Sequence, residues 1–275
     1  MTPRKRPPRL PARRKDELAA HVVNEGEVTV NELAEHFGVS VDTVRRDLDE
    51  LAAEGVIKRT HGGAVRNTTL ARAESPFADR MQIQGASKRR IGELAATLID
   101  DGQTIMLNAG TTTLAVLPHL ANRRNLTVVT NNLMAPVELP TQCARDVYLL
   151  GGNVRVGSLV TVGPVEFPGT DGRRSHRIQA DIALISVGGV AEEIGYSTSN
   201  LYEARMMFEM MESARQVVVL ADSSKFGRST FAQVAELSAA DVLVTDAKPP
   251  DRLAEQLATA QVTVMVAEEK ATDRS

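Results

Sequence analysis

The spacing of apolar residues changes character twice along the chain. Between Asp16 and Asn24, Leu18, Val22 and Val23 recur with alanines between them, which predicts a short amphipathic helix that ends before Gly26. Thr29-Val30-Asn31-Glu32 has the form of a capping box, so a second helix should start here, with Leu33 and Phe37 as one apolar edge and Gly38 as its left-handed stop. Ser40 can cap a third helix, in which Val41, Val44, Leu48 and Leu51 recur at spacings of 3, 4 and 3. Gly55 ends that helix. Val56 to Arg59 then reads as a strand, His61-Gly62-Gly63 as a turn and Ala64-Val65 as the returning strand of a hairpin.

Residues 67–87 lose this periodicity and contain the breakers Pro76 and Gly85, so they read as a linker. Beyond it, helix and strand signals alternate. Helices are expected over Lys88 to Ile99, Thr112 to Leu120, near Leu133, over Tyr202 to Ala214 and over Arg252 to Thr259. Strands are expected over Thr104 to Asn108, Leu126 to Thr130, Val147 to Leu150, Ile182 to Val187, Val217 to Ala221, Val242 to Thr245 and Val262 to Val266. Continuous β-branched runs spaced by helices indicate strands buried on both faces of a mostly parallel sheet. The predicted organisation is a basic, disordered arm over 1–15, a winged helix-turn-helix over 16–66, the linker over 67–87 and a Rossmann-like α/β domain over 88–275.

Charge and composition narrow the function. The net charge is -3, yet Arg4, Lys5, Arg6, Arg9, Arg13, Arg14 and Lys15 stand in the first fifteen residues without an acid among them. Such an arm suits a polyanion, or serves as a solubilising tail. No apolar run approaches the roughly 18 to 20 residues that span a bilayer, and Pro11 and charged residues replace a signal-peptide core; no membrane partner and a cytoplasmic location are expected. Cys143 stands alone, and the five histidines show no metal-ligand spacing, so neither a metal nor another cofactor is expected. With no Trp, 3 Tyr and 6 Phe the chain lacks stacking platforms for single strands; a nucleic-acid partner should be a duplex.

At about 100° per residue, Asp42, Thr43 and Arg46 project opposite the apolar stripe of the third helix, with Arg45 on its shoulder. This is the layout of a helix-turn-helix, whose second helix enters the major groove, where Arg pairs bidentately with guanine. A plain three-helix bundle with solvated charges has the same pattern. The hairpin adds Lys58, Arg59, His61 and Arg66 around the flexible Gly62 and Gly63, suited to phosphate contacts. The run VSVDTVRRDLDELAAEGVIKRTHGGAV, Val39 to Val65, closely resembles the signature of the DeoR family of bacterial transcription regulators. The resemblance implies that the VRRDL segment lies on the recognition helix and that the HGGA turn belongs to the wing. Ser40, Asp42, Thr43, Arg45, Arg46, Lys58, Arg59, His61, Gly62 and Gly63 are therefore the candidate DNA-binding residues.

In parallel α/β sheets, ligands bind beyond the carboxyl ends of the strands. Those ends carry Asn108 with Gly110-Thr111-Thr112-Thr113, Thr130-Asn131, Gly151-Gly152 with Arg155, and Asp222 with Ser224 and Lys225. Hydroxyl, amide and cationic groups of this kind suit a polyhydroxylated anion, and the glycine-threonine turn leads into a helix N-terminus. An ordinary helix cap and a surface lysine would look the same. From Ser87 to Asp246 the chain is similar to the DeoR family's C-terminal sensor, the landmarks being GTTT, TNN, the Gly pair with Arg155, Tyr202-Glu203-Ala204 and DSSKFG. That resemblance implies a fold like that of sugar-phosphate isomerases and a phosphorylated sugar or related anion as effector. Asn108 and Gly189 stand where the family usually has acids, which leads to the expectation of an unusually electropositive pocket. The sequence thus reads as a DNA-binding regulator that holds operator DNA as a homo-oligomer. The repressor sign and the effector class come from the family. An activator of the same build, or an isomerase-like enzyme with a DNA-binding appendage, is the alternative; against the enzyme, Asp222 is the only carboxylate at the strand ends named above.

Overall fold

A computed structural model describes residues 14–15, 18, 21–22, 25–53, 57–60, 62–66, 77–168 and 175–268. The chain divides into two units, residues 1–68 and 69–275.

In the first unit, residues 14, 15, 18, 21, 22 and 25 are helical, and β1 (Glu27–Thr29), α1 (Val30–Phe37), α2 (Val41–Ala53), β2 (Ile57–Arg59) and β3 (Gly63–Arg66) follow. The capping box is complete: the Thr29 amide donates to Glu32 Oε2 at 2.8 Å, and the Glu32 amide donates back to Thr29 Oγ1 at 3.3 Å. Gly38 ends α1 at φ 65°, where an L side chain would be strained. Leu18, Val22, Val28, Leu33, Val44, Leu48, Leu51, Ile57 and Ala64 form one buried cluster, so the predicted stripes do face each other. Burial of side chains of this kind contributes about 1.5 to 3 kcal/mol each relative to exposure. The arm predicted over 1–15 is shorter at its end: Arg14 and Lys15 are helical and reach α2, because Asp47 and Glu50 offer them carboxylates at 2.7 and 2.5 Å. Residues 1–13, with Gly55, Val56 and His61, lie outside the described residues.

The hairpin predicted from the glycine turn is part of a three-stranded antiparallel sheet in the order β1-β3-β2. Strand β1 does not figure in the sequence reading, and it explains Gly63. A Cβ at this position would lie 2.0 Å from the Val28 carbonyl oxygen, whereas one at Gly62 would meet nothing within 4 Å.

The second unit is built on a seven-stranded sheet in the order β17-β16-β14-β11-β4-β5-β6. The strands are β4 (Thr104–Leu107), β5 (Leu126–Thr130), β6 (Ala144–Leu149), β11 (Ala180–Ser186), β14 (Ala214–Leu220), β16 (Val242–Thr245) and β17 (Thr263–Val266), and every neighbouring pair is parallel. Alternate residues serve opposite faces. Met106, Val129, Ile185, Val219 and Leu243 pack with Met206, Met207 and Met210 of α7 (Leu201–Glu212) and with Leu253 and Leu257 of α8 (Asp251–Thr259). Leu107, Val128, Leu184, Val218 and Val244 pack with Ile91 and Ala95 of α4 (Gly85–Ala96) on the other side. Cover on both faces accounts for the continuous apolar runs.

Three antiparallel pieces absent from the sequence reading decorate this sheet: the hairpin of β7 (Asn153–Arg155) and β8 (Val160–Val162), the ladder of β9 (Glu166–Pro168) and β10 (Ser175–Arg177), and the sheet of β12 (Gly189–Ala191), β13 (Gly195–Thr198) and β15 (Ala232–Ala235). The linker predicted over 67–87 is also corrected. Residues 77–82 form a helix, α3 (Phe77–Gln82), and α4 already begins at Gly85. Likewise the helix expected over Thr112 to Leu120 is one turn, α5 (Thr111–Leu114), followed by a 3-10 turn over Leu117–Leu120, because Pro118 brings no amide hydrogen to continue an α-helix; the helix expected near Leu133 is the short α6 (Ala135–Glu138).

Gly63→Ala should destabilise the first unit by about 1 to 3 kcal/mol, as overpacking against fixed backbone does, whereas Gly62→Ala should change stability by no more than about 0.5 kcal/mol. Calorimetric unfolding of both variants checks this; equal transitions would show that β1 yields to the added methyl.

Candidate DNA-binding face and strand-end anion site

Helix α2 starts where Ser40 Oγ accepts the Thr43 amide at 3.2 Å, and the two hydroxyls lie 2.8 Å apart. These side chains cap the helix while remaining on its outer surface. Asp42 and Arg45 form an exposed i,i+3 pair at 3.5 Å, which adds little stability. Further along, Asp47 is buried and receives Arg14 through two nitrogens at 2.7 and 3.2 Å, a hydrogen bond that raises the arginine's pKa. Glu50 pairs with Lys15, and Asp49 with Arg59 at 2.9 Å. Those carboxylates are neutralised by partners from outside the helix. Arg46, exposed and without a partner among the described residues, is left as the outward cation of α2.

The wing candidates separate into two kinds. Lys58 is exposed and has no partner among the described residues. Arg59 is committed instead, its Nε to Asp49 and its Nη1 to the Gly63 carbonyl at 2.8 Å, so it joins the wing to α2. Gly62 is exposed, Gly63 is buried against β1, and His61 lies outside the described residues.

In the second unit the candidates gather beyond the sheet's carboxyl edge, but many are occupied. Asn108 Oδ1 accepts the Ser186 amide at 2.8 Å and its hydroxyl at 3.3 Å, while Nδ2 donates to the Ser186 carbonyl at 2.8 Å. Its amide therefore clamps the end of β4 to the end of β11, a task that an aspartate, lacking a donor, could not perform. A Cβ at Gly110 would lie 1.6 Å from Ser186 Oγ, and one at Gly189 would lie 2.2 Å from the Arg228 carbonyl oxygen. Asn108 and Gly189 thus follow from packing, and the expectation of an electropositive pocket does not rest on them.

Thr113 Oγ1 accepts the Gly110 amide at 3.1 Å and lies 2.8 Å from the carbonyls of Asn108 and Gly110. Thr111 and Thr112 have hydroxyls without a partner among the described residues. Since α5 has a single turn, its dipole is weaker than the sequence implied. Thr130 is fully buried, donating to the Leu107 carbonyl and accepting the Asn132 amide. Asn131 donates to the Thr161 carbonyl at 2.9 Å, and its Oδ1 is buried with no partner among the described residues. Gly151 is exposed, while Gly152, at φ 132°, faces the Val162 carbonyl too closely for any side chain. Arg155 and Glu203 meet as an ion pair at 2.5 Å, between β7 and the first turn of α7.

Asp222 is the buried centre of charge. It is 1% exposed, and its Oδ1 accepts the amide and the hydroxyl of Ser224. Three cations near this carboxylate are Lys225, from the sequence reading, and Lys88 and Arg228, which that reading misses. Burial pushes Lys88 down to about 8, with Asp222 opposing the shift and Lys225 and Arg80 adding to it. Burial likewise lowers Arg228 against the pull of Asp222, and Arg228 Nε is buried without a partner among the described residues. For Lys88 a signal existed: it shares the buried face of α4 with Ile91, Gly92, Ala95 and Ala96, a lysine on an apolar stripe. Arg228 sits in a loop with no such pattern. A separate cavity of about 450 Å³, lined by Glu192, Glu193 and Glu236 among others, has the wrong charge for an anion. Among the described residues, no cluster of metal-ligating side chains occurs and no helix is long and apolar enough to cross a membrane.

A winged helix-turn-helix carried on one chain with a parallel α/β unit is the build of a transcription regulator. Residues 14–70 match the DeoR-like helix-turn-helix domain and residues 83–247 the DeoR C terminal sensor domain. The chain belongs to the DeoR family. It is 33% identical over 231 residues to the glycerol-3-phosphate regulon repressor of Escherichia coli (strain K12), covering 83% of this chain and 88% of that protein. It is 35% identical over 257 residues to the HTH-type transcriptional regulator GlpR of Haloferax volcanii, covering 93% and 98%. Among solved structures, ribose 5-phosphate isomerase A from Methanocaldococcus jannaschii is similar with a TM-score of 0.35 and 17% identity, over 52% of this chain and 55% of that one.

Arg46→Ala should lower the preference for operator over random duplex by about 1 to 3 kcal/mol, the worth of a bidentate base contact. Lys58→Ala should weaken both duplexes alike and reduce the salt slope by about one. Fluorescence anisotropy with both duplexes across a salt series separates the two; unchanged preference in Arg46→Ala would remove it from the base-reading set.

Proposed function

We propose that the chain is a repressor of a carbohydrate-metabolism operon, released from its operator when a phosphorylated sugar or polyol occupies the strand-end site. The observation that carries this reading is the gathering of Lys88, Lys225 and Arg228 about the turn that holds the buried Asp222 and the partly buried Asp246, a surplus of positive charge suited to a phosphate. The Thr111 and Thr112 hydroxyls, on buried residues and without a partner among the described residues, suit the polyhydroxylated remainder. The relative named for a glycerol-3-phosphate regulon makes glycerol 3-phosphate the first compound to try. Effector release is then linkage: the ligand weakens operator binding by as much as it prefers the arrangement that does not bind. A single winged-helix module buries a modest area of duplex, so a symmetric oligomer on repeated half-sites fits the function.

The same site argues against an isomerase. Aldose-ketose isomerisation needs a base poised at the substrate carbon, and Asp222 already accepts two hydrogen bonds from Ser224.

The test is the protein's own upstream region, followed by anisotropy and titrated with glycerol 3-phosphate, hexose phosphates, bisphosphates and the corresponding neutral sugars. Release by a phosphorylated member alone is expected. Lys225→Ala should hold operator normally yet need at least about tenfold more of that compound; release by neutral sugars, or wild-type sensitivity in Lys225→Ala, would sink the reading.

A further inference from the structure

Strand β6 is the last of its sheet, and among the described residues it pairs with β5 on one side only. Parallel strands are normally covered on both faces. The strands inside this sheet largely are, and even at the far edge Val264 and Met265 of β17 are half-buried. In β6 every residue from Arg145 to Leu149 is exposed, so both faces lie open together with a main-chain edge. Val147, Tyr148 and Leu149, at 40%, 45% and 40% exposure, make this edge apolar. Edge strands are commonly protected by lysine, proline or a bulge. Here the bulge falls at Arg145, where the pairing with β5 shifts, and Asp146 to Leu149 run in regular register with neither lysine nor proline. Exposure resumes beyond the buried Leu150, where β7 too is paired on one side only and Val154 and Val156 are 48% and 78% exposed.

We propose that β6 pairs antiparallel with β6 of a second copy of this chain, across a two-fold axis through Tyr148, and joins the two sheets into one. Two arguments favour a copy over any other occupant. The first is self-complementarity. Antiparallel pairing about a two-fold axis sets residues of the same strand opposite one another, and only residues an even number apart share a face. With the axis at Tyr148, the tyrosine meets its own copy and Val147 meets Leu149 of the other copy, an all-apolar match of the kind that stabilises strand pairs. An axis at Asp146 would set like charges together. Arg145 and Asp146 neutralise each other at 2.9 Å, and Arg145 also donates to Thr127 Oγ1 at 3.0 Å, so two identical edges approach without net repulsion. The second argument is area. Val147, Tyr148, Leu149, Val154 and Val156 offer on the order of 400 Å² of apolar surface, about half of the roughly 800 Å² that each partner contributes to a stable interface. The exposed main chain and polar side chains of the same stretch have the extent to supply the rest.

The proposal shares with the regulator reading only the need for a symmetric oligomer. Sedimentation equilibrium of the full chain, without DNA or effector, tests it. Wild type should be a dimer or a larger even-numbered assembly. Tyr148→Glu sets two carboxylates face to face at the axis and should weaken that association by at least about a hundredfold, with an unchanged far-ultraviolet circular dichroism spectrum. A second variant does not depend on the first. Paired strands hold facing Cα atoms about 4.5 to 5.5 Å apart, within reach of a disulfide, so Tyr148→Cys should form a covalent dimer under mild oxidation. Val266→Cys, on β17, should not, and neither should wild type, whose Cys143 is buried. A wild-type chain that is monomeric up to its solubility limit overturns the proposal, as does a folded Tyr148→Glu protein that assembles like wild type. So does a Tyr148→Cys protein that cross-links no faster than Val266→Cys. Capture of an extended peptide of another protein by a monomeric chain would assign the edge to that partner instead. Since DNA and effector are left out, any of these failures removes the interface and leaves the regulator reading to its own titration.

Discussion

Placing the carboxylate of Asp222 at the end of β14, almost wholly out of solvent, has a large desolvation cost that only nearby donors and cations can offset. Ser224 supplies the donors from the same turn. Lys88, Lys225 and Arg228 supply positive charge from three different segments, α4, the turn itself and the loop before β15. Asp246, whose Oδ1 accepts the Ser223 amide at 2.7 Å, adds a second carboxylate to that turn, so three cations face two acids. The Asp222 carboxylate partly offsets the burial of Lys88 on the apolar face of α4, and Lys88 in turn donates to the carbonyls of Arg80 and Ile83 at the end of α3. Removing the carboxylate would leave the cations to repel one another in a poorly solvated place.

The first unit handles charge in the reverse way. Helix α2 carries Asp47, Asp49 and Glu50 towards the rest of the unit, where Arg14, Arg59 and Lys15 meet them. Pairing those acids internally removes the negative field that would otherwise repel a duplex, and it leaves Arg46 and Lys58 facing outward. Association with a polyanion gains from this even though the chain as a whole is slightly acidic.

Long, periodic or strongly capped features were legible from the residues alone. The capping box at Thr29, the stripe of Val44, Leu48 and Leu51, and the parallel strands with their β-branched runs all announce themselves by local chemistry. What stayed hidden is non-local. Strand β1 and the pieces β7 to β10, β12 and β13 are three or four residues long, too short for a period to register. The engagement of Asn108 with Ser186 joins positions 78 residues apart, and Gly63, Gly110 and Gly189 are explained only by backbone that arrives from elsewhere. Charge type along the strand ends could not distinguish Lys225, whose charge acts on the buried Lys88, from Arg155, which is spent on Glu203.

Arg59 has a consequence for how a duplex would be met. With one guanidinium spanning Asp49 on the helix and the Gly63 carbonyl in the wing, the two surfaces that would enter and flank a groove are tied to one another. Such a reading head loses less conformational freedom on docking than a hinged one, which favours affinity. It also transmits any misfit at one contact to the other, so sequences that widen or narrow the groove between helix and wing would be discriminated against at base pairs that no side chain touches.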